Sequence, residues 1–147
     1  MTGIVFRRPR SRPEREAATS LLADSGVPPA AIRGAGATVL YGLWDLAAPT
    51  GEGLVGVAAT RVLDDAGSVE LCGIAVLAAL GHRGLGYRLV TEVADALRVE
   101  GARRLVAKSA GRQSPATALL ARAGFGAAVD ADGQPAETDV GWLYLEL

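Results

Sequence analysis

The turn Gly81-His82-Arg83-Gly84-Leu85-Gly86 carries the residue types of an anion site. Gly84 and Gly86 lack a Cβ, so a ligand can approach the backbone closely and the chain can adopt positive φ there. A helical pattern follows at once, and the first N–H groups of a helix have no partner within it. They point, with the positive end of the helix dipole, at whatever lies in front of them. Arg83 adds a full positive charge. A phosphate or pyrophosphate fits such a turn. Two phosphate-binding patterns are absent: Leu89 stands where a dinucleotide fingerprint needs its third glycine, and there is no G-x-x-x-x-G-K-[ST] loop. Taken alone, the turn is equally compatible with a strand-to-helix connection that binds nothing.

The other reactive side chains are sparse. Cys72 is the only cysteine and His82 the only histidine. One of each makes neither an internal disulfide nor a metal cluster, so no metal is expected. Cys72 reads as a buried core thiol. His82 sits inside the turn, where its backbone matters more than its ring.

Positioning the turn requires a strand before it and a helix after it. Val69 to Val76 is an apolar run, and Leu89, Val90, Val93, Ala94 and Leu97 recur at helical spacing up to Gly101. Ile4-Val5-Phe6 predicts a first strand ended by Pro9. Ser11 or Arg12, Pro13, Glu14 and Glu16 predict a helix start, with Ala17, Leu21 and Leu22 facing inward and Gly26 and Pro28 stopping it. Ala30-Ala31-Ile32 predicts a second short helix. Thr38 to Asp45 and Leu54 to Leu63 read as strands, separated by a loop over 47–53 and followed by the turn Asp64-Asp65-Ala66-Gly67. After Gly101, Arg104 to Ser109 reads as a strand parallel to Val69–Val76, because a helix connects them. Ser114-Pro115 starts a helix through Ala123, with Leu119, Leu120 and Ala123 inward, and Trp142 to Leu145 closes the chain as a strand.

Length and composition bound the rest. The chain of 147 residues reads as one domain, 1–147, and half of it is hydrophobic. A net charge of −1 offers no electrostatic case for nucleic acid or a membrane surface. The longest strictly apolar stretch, Ile74 to Leu80, is far short of the roughly 20 residues that span a bilayer. Arg7, Arg8, Arg10 and Arg12 are not followed by the apolar region of a signal peptide, so a cytoplasmic protein is expected, and the four arginines read as a solvated surface.

The sequence resembles the GNAT family of N-acetyltransferases. Their pattern is Gln/Arg-x-x-Gly-x-Gly/Ala at the start of a helix, after a strand that ends in a Val-like residue. Gly84, Gly86, the pair Leu89-Val90 and the distance from Val76 match, while Gly81 departs from Gln/Arg, with Arg83 able to supply the charge. The element order β-α-(α)-β-β-β-α-β-α-β-β fits that fold end to end. The resemblance implies a mixed α/β fold: a central, mostly antiparallel sheet with a splayed parallel strand pair, flanked by helices.

By resemblance the cosubstrate is acetyl-CoA and the other substrate an amine acceptor, with homodimers frequent in the family. Ile74, Ala75 and Val76 would bond the pantetheine arm through backbone, and Gly81, His82, Arg83, Gly84, Leu85, Gly86 and Tyr87 the pyrophosphate. The Val76 N–H would polarise the thioester, and Gln113 would take the place of an Asn that bonds the arm. Glu70, six residues before Val76 as in several members, would be the general base; a carboxylate beside an apolar cleft suits that task near neutral pH. The bland reading of Glu70 is an exposed charge on a strand. Leu120 stands where many members have a Tyr acid and cannot donate a proton, which leaves Ser114 and Tyr87 as conceivable donors. Tyr41 and Trp44 would line the acceptor pocket or the core. The implied activity is acetyl transfer to a small-molecule amine. The alternatives are a CoA-binding sensory module with little transfer and an acetyltransferase acting on a protein N-terminus or lysine.

Overall fold

The structure, a computed structural model, describes residues 3–27, 38–48, 53–63, 67–77, 84–108, 115–127 and 142–147. Along these residues the elements are β1 (Ile4–Arg7), α1 (Arg12–Asp24), β2 (Thr38–Asp45), β3 (Leu54–Val62), β4 (Ser68–Val76), α2 (Leu85–Val99), β5 (Arg104–Lys108), α3 (Pro115–Arg122), β6 (Gly126–Ala127) and β7 (Trp142–Glu146). They form the expected mixed α/β arrangement. The strands make one sheet in the order β1-β2-β3-β4-β5-β7-β6. Only β4 and β5, joined through α2, run parallel; every other neighbouring pair is antiparallel.

The sheet buries both faces. On one, Leu89, Val90, Val93 and Leu97 of α2 and Leu120 of α3 pack over Leu43, Val55, Val69 and Leu105. On the other, Ala18 and Leu22 of α1 cover Trp44, Val57, Ala59 and Ala75. The five α2 positions read from the sequence are all buried, joined by Leu85. Tyr41 and Trp44 are buried on opposite faces, Tyr41 with the α2 cluster and Trp44 with the α1 cluster. Both are core residues rather than a shared pocket wall.

Helix α1 begins as the sequence suggests, with the Ser11 hydroxyl accepting the Glu14 N–H at 3.3 Å. Its inward face differs from the expected Ala17, Leu21 and Leu22. Glu14, Ala18 and Leu22 are the buried residues, at steps of four, while Ala17 and Leu21 lie at the cluster edge. The stripe was hidden because its first member is charged. Arg7 makes that burial tolerable: its Nη1 and Nη2 meet the two Glu14 oxygens at 3.0 and 2.8 Å, and the Arg10 N–H adds a bond at 2.7 Å. These donors, Arg7 first, hold the Glu14 carboxyl down to about 2, against a smaller opposing effect of burial. The N-terminal arginines are therefore not a bare solvated patch. Arg8 pairs with Glu100 and Arg12 with Glu16, and Arg7 also lies 4.3 Å over the Trp44 ring.

The expected helix at Ala30-Ala31-Ile32 and the turn residues Asp64 to Ala66 lie outside the described residues, as do Gly81, His82, Arg83, Gln113 and Ser114. Among the described residues no helix is long and apolar enough to cross a membrane.

Candidate active site

The site is built where a ladder stops. Parallel pairing of β4 with β5 covers three rungs, Ser68 with Arg104, Val69 with Leu105 and Glu70 with Val106. Past Glu70 the two strands separate. β5 stays with β7 as far as Lys108 opposite Trp142, and β4 stays with β3 as far as Val76 opposite Gly56. The cause lies in β4 itself. Ala59 pairs with Gly73 but Thr60 with Leu71, so Cys72 is an extra residue, a β-bulge that bends the strand. The expectation of a buried core thiol is corrected accordingly: Cys72 is half-buried on the bulge.

The separation leaves one edge of β4 open among the described residues. Leu77 donates its N–H to the Val55 carbonyl at 3.0 Å, so its backbone faces β3. Backbone groups alternate along a strand in an antiparallel pair. The N–H groups of Val76 and Ile74 therefore face the opening, and that of Ala75 faces β3. The side chains of Ile74 and Val76 pack with the α2 cluster, and Ala75 packs under α1.

Helix α2 starts from Gly84, which has φ 73° and ψ 12°. This left-handed conformation is what the glycine is for, since a Cβ at Gly84 would meet nothing within 4 Å. Leu85, Gly86 and Tyr87 follow as the first helical residues, and the first helical bond is Arg88 N–H to the Gly84 carbonyl at 3.0 Å. The three N–H groups ahead of it have no partner within the helix. No acidic side chain occupies this turn to compete for them. Gly86 has a second reason to be glycine: a Cβ there would stand 3.0 Å from a Leu119 methyl of α3 and 3.8 Å from Val76. Packing of β4, α2 and α3 thus favours glycine at 86 whether or not a ligand is present, although the crowding neighbour is the movable end of Leu119.

Glu70 occupies the last parallel rung and is buried, 5 % exposed. An exposed strand charge would not look like this. Its Oε2 lies 2.6 Å from Nη2 of Arg61 and 3.4 Å from the Cys72 sulfur. Val69 and Leu71 belong to the α2 cluster, so the alternation of the strand puts Glu70 on the α1 face. The carboxylate and the α2 turn therefore lie on opposite faces of the sheet, with the fork between them. Leu120 is buried in the α2 cluster, 4 % exposed, and brings no proton donor to the fork. Tyr87 is exposed, and the Arg122 guanidinium lies 5.8 Å over its ring.

Arg61 is the neighbour that sequence reasoning passed over. The signal was available, because the turn residue types at 64–67 predict a hairpin of the two strands, and in the β3–β4 register Arg61 stands opposite Glu70. The bulge at Cys72 had no such signal: the residues around it read as an ordinary apolar strand.

Comparison with known proteins agrees with this architecture. A sequence profile of the Acetyltransferase (GNAT) family matches residues 12–125. No curated protein matches the chain. Among solved structures, one assigned as a GNAT-family acetyltransferase from Desulfovibrio desulfuricans superposes with TM-score 0.72 at 23 % identity, covering 97 % of this chain and 98 % of that one. A ribosomal-protein-S18-alanine N-acetyltransferase from Escherichia coli gives 0.69 at 20 % identity over 97 % and 93 % of the two chains. A Bacillus subtilis acetyltransferase in complex with CoA gives 0.64 at 21 % over 98 % and 97 %.

Proposed function

The chain belongs to the Acetyltransferase (GNAT) family, and on that footing we propose that it moves an acetyl group from acetyl-CoA to a primary amine of a small molecule by direct attack. One observation carries the reading: the β4–β5 ladder ends at Glu70, leaving backbone N–H groups of β4 with no strand partner among the described residues on one side of a fork and a buried carboxylate on the other. A narrow arm lies along the open edge of β4, with Gln113 as a further contact of the arm, and its pyrophosphate lies against the Gly84 turn, with Arg83 as a further contact there. An amine then approaches from the α1 face.

In this reading the amine nitrogen attacks the thioester carbonyl, the carbon–sulfur bond breaks, and Glu70 takes the proton that the nitrogen loses. A backbone N–H aimed at the carbonyl oxygen stabilises the charge that forms there. Ile74 lies four residues beyond Glu70 and Val76 six, so along the strand they stand about 13 and about 20 Å from it at most. A carbonyl in reach of an amine served by Glu70 favours the Ile74 N–H, with Val76 bonding the arm further along. The leaving thiolate takes its proton from solvent, since Leu120 supplies none.

Leu120 also supports a second reading, a CoA-binding module with slow transfer. A panel of primary amines separates the two: an arylalkylamine, a polyamine, an aminoglycoside, an amino acid and a short peptide with a free N-terminus. Each is offered with acetyl-CoA, and thiol release is followed. Release with a small amine, above hydrolysis, supports transfer; release with the peptide alone moves the acceptor to protein. Acetyl-CoA binding with no release across the panel supports the module.

A further inference from the structure

We infer that Arg61 is a positioning residue for Glu70, holding Oε2 so that Oε1 is the oxygen presented to the acceptor amine. The inference rests on Glu70 being the base, as proposed above. Arg61 and Glu70 are direct cross-strand partners on β3 and β4, and Nη2 of Arg61 meets Oε2 at 2.6 Å. The Cys72 sulfur, brought in by the bulge, lies 3.4 Å from the same oxygen. Among the described residues no hydrogen bond is made to Oε1. The Glu70 side chain is 7 % exposed and the Arg61 side chain 24 %, so the pair sits under the surface with its guanidinium towards water.

A carboxylate buried to this extent needs a partner, and a carboxylate with both oxygens taken is a poor proton acceptor. The Arg7–Glu14 pair shows the other arrangement in the same molecule. There both carboxylate oxygens are gripped by one guanidinium and a backbone N–H completes the set. Glu14 is fully engaged and fits a structural role, whereas Glu70 is held by one oxygen only. A one-point hold fixes the side chain on the α1 face at the fork and leaves the second oxygen to receive a proton.

The test is a double-mutant cycle in turnover, using the most active amine of the panel and acetyl-CoA, with Arg61→Gln, Arg61→Lys, Glu70→Gln and Arg61→Gln/Glu70→Gln. We expect Arg61→Gln to lower kcat at least tenfold while KM for acetyl-CoA stays within twofold, and Arg61→Lys, which keeps a donor and a charge, to recover most of the loss. In the Glu70→Gln background, Arg61→Gln should change kcat by less than twofold. Unchanged kcat in Arg61→Gln, with Glu70→Gln still impaired, would overturn the positioning role and leave the base intact. Unchanged kcat in Glu70→Gln would overturn both. Losses that multiply in the double variant would make Arg61 a structural residue acting independently of Glu70. Should Arg61→Gln fail to fold, Arg61→Met, which keeps the length of the side chain and removes the donor, decides the same question in the two Glu70 backgrounds, since equal fractional losses in both would overturn the role.

Discussion

Glu70 and Val106 form the last rung of the parallel ladder, and the bulge at Cys72 begins two residues later. Had the ladder continued, the N–H groups of Ile74 and Val76 would be spent on β5. Stopping it there converts the end of a strand pair into a slot with backbone donors, and places a carboxylate at its closed end.

If Glu70 is the base, Glu70→Gln should lower kcat by about 10²–10⁴-fold, the usual worth of a positioned proton acceptor. The thermal shift produced by acetyl-CoA should not change, because the amide keeps the shape and the slot is made of backbone. Steady-state kinetics and a melting curve on the same preparation check both halves. Wild-type turnover in the variant would remove Glu70 from the mechanism.

The two glycines at the start of α2 should respond differently. Gly84→Ala meets no steric obstacle but forces a Cβ into left-handed backbone at φ 73°, costing about 1 kcal/mol and tilting the first helical turn. Acetyl-CoA should bind it more weakly. Gly86→Ala brings its Cβ to 3.0 Å from the end of Leu119, a flexible side chain that can give way, so a smaller loss is expected. Isothermal titration with acetyl-CoA distinguishes the two.

The Arg7–Glu14 pair sets an acid limit on stability. Glu14 titrates at about 2 instead of the ordinary 4.5. A depressed carboxyl stabilises the fold above its unfolded value, and that contribution is lost as pH falls through the folded one. On the order of 3 kcal/mol at neutral pH should therefore fade between about pH 4.5 and pH 2. Glu14→Gln should be markedly less stable than wild type at pH 7, with the gap closing towards pH 2. Urea denaturation of both proteins at several pH values checks it, and a gap independent of pH would contradict it.

Much of the fold was legible in the sequence. The β-branched and aromatic run of 38–45 and the change to helical spacing after Gly84 mark β2 and α2 directly. The misses share a physical cause. Glu14 broke the apolar stripe of α1 because its partner, Arg7, comes from another element and the pairing exists only in the tertiary structure. Cys72 on the bulge depends on strand register, which periodicity does not specify at a single residue, whereas Arg61 beside Glu70 could have been read by pairing the two strands as a hairpin. The backbone donors of Ile74 and Val76 were placed by family resemblance, since backbone groups leave no trace in side-chain identity.

The central claim is that the slot takes acetyl-CoA, and the most direct measurement is the melting temperature with and without it, with NAD and ATP as controls. A ligand that binds only the native state at 100 times its Kd adds about 2.7 kcal/mol. For a chain of this size that corresponds to a rise of roughly 5–10 °C. We expect such a rise with acetyl-CoA and at most a small one with either control. No rise at millimolar acetyl-CoA, or an equal rise with all three, would contradict the account.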